Sequence, residues 1–226
     1  MDIYYGSRRH WVVALKAAPA VALGVALAVV LSGCGRPPTP LPELNASYER
    51  ALARTAPLAV TLEAGSALEG RAFDNVQRYF DGMSADSVRA QTAIVYAPEA
   101  YLNDTLVGID GAGRIEAYFL HTIERARLLK VEFLERAPAG TDWYVRWRMT
   151  VAADGVNGGK AVVSYGVTQF RFDGEGRVLI HKDFWDAGTG LYEQLPVIGS
   201  VIRRVRGAVE SGARDSAAAS AGTAVP

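Results

Sequence analysis

The stretch GVTQFRFDGEGRVLIHKDFWD, residues 166–186, decides the fold. Asp173-Gly174-Glu175-Gly176 is a turn signal between two runs of β-branched and aromatic residues, so the segment reads as an antiparallel hairpin. Alternation sends Leu179, His181, Asp183 and Trp185 to one face and Ile180, Lys182 and Phe184 to the other. If Phe172 and Arg177 flank the turn, His181 lies opposite Thr168, Asp183 opposite Gly166, and Trp185 opposite Ser164. Small residues facing a histidine, a carboxylate and an indole leave space above the sheet. That suits a pocket wall and not a close-packed core. The other face pairs Gln169 with Ile180 and Val167 with Lys182, and Arg146 and Arg148 share it; it is expected to be convex and either wet or oligomer-facing.

Outward from the hairpin, Trp143–Val151 alternates strictly, with Trp143, Val145, Trp147, Met149 and Val151 on one face. Lys130–Arg136 alternates as well, and Asp154–Gly159 is a glycine-rich turn into Lys160–Phe172. Before these strands the pattern is helical. Residues 48–63 form an alanine-rich stretch, and Leu68, Phe73, Val76, Tyr79 and Phe80 make a helical stripe. Ser84 reads as the N-cap of a short helix to about Gln91. Ile115, Phe119 and Ile123 mark the clearest helix. Between the last two helices AIVYAPEAYLND allows only a short or interrupted strand because of its proline. Helices followed by three or four long antiparallel strands define an α+β class, with helices packed on one face of a curved sheet.

The block FDGEGRV…H.D.WD, followed by LYEQLPVIG, resembles the SnoaL-like branch of the nuclear transport factor 2-like (NTF2-like) superfamily over about Leu68–Arg206. The resemblance implies a cone whose curved antiparallel sheet curls around a pocket closed by the N-terminal helices. The family includes polyketide cyclases, ketosteroid isomerases, epoxide hydrolases and dehydratases, and many members without chemistry. In its enzymes an aspartate on a late strand moves a proton next to a carbonyl.

In this chain Asp183, on the last strand, resembles that arrangement. Among Trp185, Leu179 and Trp147 it loses hydration, which suits a carboxylate to general acid–base work. His181 stands two residues along, about 6.6 Å by strand rise, a spacing for gripping one ligand or one water. Asp183 and His181 are therefore the candidate catalytic residues. Trp185, Trp147, Tyr101, Asp104, Thr168 and Gly166 are candidate pocket residues, Tyr101 and Asp104 joining from across the cone. Two other readings stand beside this one. His181 and Asp183 could hydrogen-bond each other to fix the strand end, and the domain could be a non-catalytic envelope scaffold that dimerises or docks a partner through its convex sheet. Gln169 stands where a histidine is expected in many relatives, which removes one titrating group.

Other chemistries are disfavoured. Beyond residue 33 only His121 and His181 remain, with no cysteine inside the domain, so no metal site is expected. GIDGAGR lacks the spacing of a dinucleotide loop, no GxSxG elbow is present, and no cofactor is expected. Lys and Arg number 24 against 24 Asp and Glu. With no concentrated basic face, nucleic acid is disfavoured as a partner.

The ends of the 226-residue chain read differently from its middle. Arg8, Arg9 and Lys16 precede an apolar run from Ala17 to Leu31, the layout of an export signal; twin arginines also resemble a signal for export in the folded state. The run is roughly 15 residues, short of the ~20 needed to span a bilayer. Leu31-Ser32-Gly33-Cys34 resembles a bacterial lipobox, which implies cleavage after residue 33 and acylation of Cys34, palmitate-type chains tethering the protein to a membrane. Gly35 in place of an aspartate favours the periplasmic face of the outer membrane. The expected organisation is a signal over 1–33, a lipidated cysteine and proline-rich linker over 34–47, a domain over 48–210 ending in a basic amphipathic helix that either lies on the pocket mouth or meets anionic lipid near the anchor, and a disordered tail over 211–226. The expected ligand is a small apolar, lipid- or polyketide-like molecule, with a homodimer as a further possibility.

Overall fold

The computed structural model describes residues 40–222, with side chains as far as Arg214. The export signal, Cys34 and the linker up to residue 39 lie outside the described residues. Helix α1 (Leu41–Thr55) starts inside the stretch expected to be linker. Its proline falls in the first turn, where a backbone N–H has no helical partner to lose, so the proline-rich spacing ends earlier than its composition suggests. A 3₁₀ turn, Ala56–Leu58, follows.

Helix α2 (Ala67–Phe80) is capped by the Ser66 side chain, which accepts from Glu69 N. Helix α3 (Ala85–Val95) starts on a reciprocal box between Ser84 and Ser87 and runs beyond Gln91 directly into strand β1 (Tyr96–Asn103). Then come β2 (Gly108–Asp110), helix α4 (Ala112–Arg125) and four long strands: β3 (Ala126–Ala139), β4 (Asp142–Ala153), β5 (Val162–Phe172) and β6 (Val178–Trp185).

These strands make one six-stranded, curved, unclosed sheet in the order β2-β1-β6-β5-β4-β3. The β3–β6 meander is antiparallel as expected, whereas β1 enters beside β6 in parallel. Pairing of β1 with β6 is irregular between Tyr96 and Tyr101, around Pro98, which has no N–H to give to a ladder.

The hairpin register differs from the expected one. Phe172 pairs with Val178, and a second slip puts Arg171 opposite Ile180. Thr168 therefore faces Asp183, Phe170 faces His181, and Gly166 faces Trp185. Asp173 causes the first slip: its Oδ1 accepts from Glu175 N at 2.9 Å and Arg177 N at 2.8 Å, drawing Arg177 into the turn. Two one-residue slips preserve parity, so His181, Asp183 and Trp185 keep the face that alternation assigned.

Helices α2, α3 and α4 cover that concave face. Phe73, Val76, Tyr79, Phe80, Val88, Ile115 and Phe119 pack with Trp143, Val145, Phe170 and Phe172. Helix α1 departs from the one-sided arrangement and lies on the opposite face, where Ala51 packs on Tyr101 and Ile180. These two are paired neighbours of β1 and β6, too apolar to face water. Tyr48 donates to Gln169 Oε1, and Arg171 reaches Leu52 O at 3.1 Å while pairing with Asp142 at 2.7 Å. Gln169, expected on a wet face, is 2% exposed.

After β6, a short helix α5 (Ala187–Gly190) and a 3₁₀ turn (Tyr192–Gln194) lead to helix α6 (Ile198–Gly222). The expected disordered tail is thus helical as far as Gly222. The segment has little apolar periodicity, but alanine is the best intrinsic helix former.

Phe73 is the central core ring, edge-on to Trp143 and Phe172 at 5.2 Å each and 1% exposed. Phe73→Ala is expected to cost about 3–5 kcal/mol, read as a lower denaturant midpoint with unchanged slope.

Candidate ligand cavity

Between the sheet and α4 lies a cavity of about 270 Å³. Phe80, Leu102, Phe119, Leu129, Val131, Phe133, Met149, Val151 and Phe170 give it a mostly apolar lining. Its polar groups are concentrated in two places: Thr168, His181 and Asp183 on the β5–β6 wall, and Asp104, Tyr118 and Thr122 opposite.

The β5–β6 wall carries a continuous chain of hydrogen bonds. Tyr96 OH meets His181 Nδ1 at 2.8 Å, and His181 Nε2 meets Asp183 Oδ1 at 3.1 Å. From the other side, Trp147 Nε1 donates to Thr168 Oγ1 at 2.8 Å, and Thr168 donates to the same Asp183 Oδ1. Each donor has one direction open to it. An indole N–H can only donate, so Thr168 spends its proton on Asp183. An ionised carboxylate can only accept, so His181 carries its proton on Nε2 and receives the Tyr96 hydroxyl on Nδ1. Complete burial, with the charges of Tyr79 and Asp183 adding to it, holds the Tyr96 phenol well above its ordinary 10.0 and keeps it a donor. Asp183 Oδ2 has no hydrogen-bond partner among the described residues and belongs to a cavity-lining side chain.

The strand-rise spacing of His181 and Asp183 understated their approach. Side chains two apart on one face lean together here and bond directly, so the structural reading holds in this respect. The bond leaves Oδ2 free, so it does not exhaust the carboxylate.

The opposite wall is occupied differently. Asp104 Oδ1 accepts from Leu106 N and Val107 N at 3.0 Å each, Tyr118 donates to its Oδ2, and Trp185 Nε1 donates to its carbonyl at 2.9 Å. Both oxygens are engaged, which makes Asp104 the lock of the turn after β1. Burial, reinforced by the Asp104 charge, raises the Tyr118 pKa, so this phenol too stays protonated.

Of the expected pocket residues, Trp185, Trp147, Asp104 and Thr168 line the cavity beside Asp183 and His181. Gly166 does not line it but shapes it: a Cβ there would stand 2.3 Å from the Trp147 ring, so the indole lies flat on the strand only because position 166 is bare. Tyr101 does not reach the cavity. It is fully buried under α1 on the other side of the sheet and bonds Ser47 Oγ at 2.8 Å. The one-residue step from Leu102, which does line the cavity, accounts for this. Sequence reasoning missed Tyr96 and Tyr118. Tyr118 follows Ile115 by three residues on α4, a detectable helical signal; Tyr96 reaches His181 only because β1 pairs with β6. Among the described residues no group of three or more His, Cys, Asp or Glu is placed to hold a metal ion.

Helices leading into a bent six-stranded sheet with a cavity between them define an α+β fold. Structures of similar shape include a SnoaL-like polyketide cyclase from Jannaschia sp. CCS1, 21% identical, with 60% of this chain and 99% of that one covered at a TM-score of 0.47. An NTF2-like protein of unknown function from Burkholderia pseudomallei K96243 is 15% identical over 58% of this chain and all of its own, TM-score 0.49. An LEH-like epoxide hydrolase from M. tuberculosis is 13% identical over 64% and 96%, TM-score 0.46. No family model matches the chain, and no curated protein matches it.

Burial raises the Tyr79 pKa to about 12 and places Tyr96 and Tyr118 higher than ordinary tyrosines. A raised folded-state pKa contributes stability that is intact below the unfolded value near 10 and lost as pH rises through the folded value. Absorbance titration is expected to leave these three phenols silent at pH 10 and to show them ionising only with loss of the folded circular dichroism signal. Their reversible titration near pH 10 in the folded state would contradict the buried chain.

Proposed function

We propose that the domain binds a small, largely apolar molecule in this cavity and performs general acid–base chemistry on it through Asp183. The observation that carries the proposal is the polar chain Tyr96–His181–Asp183–Thr168–Trp147 on one wall of an otherwise apolar cavity. Asp183 Oδ2 accepts a proton from a carbon acid or a water in the cavity. His181 and Thr168 hold Oδ1 in place, and Tyr96 and Trp147 position those two residues. An apolar surround favours such a transfer, because the carboxylate has no competing bulk water.

The protein is further proposed to be a lipoprotein of the bacterial envelope, held by acylated Cys34 at the periplasmic face of the outer membrane. The lipobox-like Leu31-Ser32-Gly33-Cys34 supports that reading. In cells, the full chain is expected in the membrane fraction, with Cys34→Ala released to the soluble fraction or retained as unprocessed precursor. Mature-sized Cys34→Ala still sedimenting with membranes would exclude the acyl anchor.

A second reading, a non-catalytic module that pairs through the convex sheet, is favoured by Val163, Tyr165 and Phe184, exposed at 52, 57 and 47%. Native mass spectrometry separates the two. Wild type incubated with an envelope lipid extract is expected to retain a small molecule, Met149→Trp to lose it by filling the cavity, and Asp183→Asn to retain it unaltered. An empty wild type that is dimeric would favour the convex-face reading and sink the cavity one.

A further inference from the structure

Helix α6 carries a surface that the cavity does not use. Ile198, Val201, Val205 and Val209 recur at helical spacing and are 51, 57, 59 and 69% exposed. They form one apolar line over about three turns. A different side of the helix meets the domain: Arg203 donates to Glu193 O at 2.8 Å, and Arg206 donates to the buried Glu193 carboxylate at 2.9 Å. The apolar line is therefore turned to solvent by specific contacts on the other side. Just before it, Val197 is 80% exposed and has φ 64. A β-branched residue tolerates left-handed backbone poorly, and here no burial of the side chain offsets the strain. An exposed valine kept in that geometry makes sense if its side chain has an apolar medium to enter.

The geometry points to a lipid bilayer surface as the partner of α6, which lies in the interface with Val197, Ile198, Val201, Val205 and Val209 among the acyl chains. Charge agrees. Over Ile198–Gly222 the sequence has four arginines (203, 204, 206, 214) against Glu210 and Asp215, 4 − 2 = +2, the sign that anionic headgroups attract. No helix among the described residues is long and apolar enough to cross a membrane, so the stripe fits lying on a bilayer and not spanning it.

The root of this helix also meets the cavity. Gly190 and Leu191 line the cavity, and two residues on, Glu193 is the residue that α6 grips. Resting on the cavity reading above, the bilayer is then the source of the ligand: a membrane-soluble amphiphile that enters at the Leu191 rim.

The test uses Thr39–Pro226, a compact unit that holds both apolar cores. It is floated on density gradients with vesicles of phosphatidylethanolamine and phosphatidylglycerol. Wild type floats with the vesicles, and a Val201→Asp, Val205→Asp double variant loses roughly tenfold or more of that partition, because two valines no longer gain from burial. Ile94→Asp, on α3 and similarly exposed, floats as wild type does. A wild type that stays soluble, or a double variant that floats unchanged, overturns the docking. So does a double variant whose only change is loss of self-association in sedimentation, since the stripe then belongs to a second copy of the chain. A fluorescent fatty acid separates docking from delivery. The double variant binds it from solution as well as wild type and takes it up from vesicles more slowly. Equal uptake from vesicles overturns delivery alone. Failure of both proteins to bind the probe from solution, with flotation intact, overturns the cavity reading and delivery together but leaves docking standing.

Discussion

His181 is 4% exposed, and the rest of the molecule is arranged around satisfying it. An imidazole taken out of water needs a partner at each nitrogen, and leaving one unmet costs about 1–3 kcal/mol. The partners come from different parts of the chain: Tyr96 from the start of β1, Asp183 from β6 itself. The faces and edges of the ring are closed by Phe80, Tyr96 and Phe170, with centroids 5.8, 6.1 and 4.9 Å away. His181 thus stands at the boundary where aromatic core becomes cavity. The core side fixes its position, and the cavity side inherits a carboxylate whose orientation is already settled.

The same economy governs the two carboxylates. Asp104 and Asp183 both line the cavity and both accept a hydroxyl, yet their situations differ. Asp104 is surrounded by its own backbone turn and by Tyr118, so its oxygens serve the chain. Asp183 receives its donors on one oxygen only. The two differ only in how many of their oxygens the fold engages: both for Asp104, one for Asp183.

Much of this was legible in the hairpin sequence. Alternation assigned His181, Asp183 and Trp185 to one face, and that survived a two-residue error in register because side-chain direction depends only on parity. The register itself was not legible, because it hangs on Asp173 pulling Arg177 into the turn, a side-chain event invisible to pattern. Tyr101 was placed on the wrong side because a proline-interrupted strand has too few residues to show a period. Tyr96 could not be found from sequence, since its partner is 85 residues away and their meeting depends on a parallel pairing that no local signal announces. The helical course of the chain beyond residue 210 was missed for the opposite reason: periodicity was weighed and propensity was not.

The parallel seat of β1 beside β6 also sets when the domain can exist. Strand β6 is flanked by β1 and β5, and it is the last strand among the described residues. Until residues 178–185 have emerged, β1 and β2 have no sheet to join, and α1 has only half of the Tyr101–Ile180 surface it covers. Pairings this distant carry the loop-closure cost that slows folding. A nascent chain therefore leaves the Tyr101–Ile180 surface uncovered and the Tyr96 hydroxyl without its imidazole until residues 178–185 have been made.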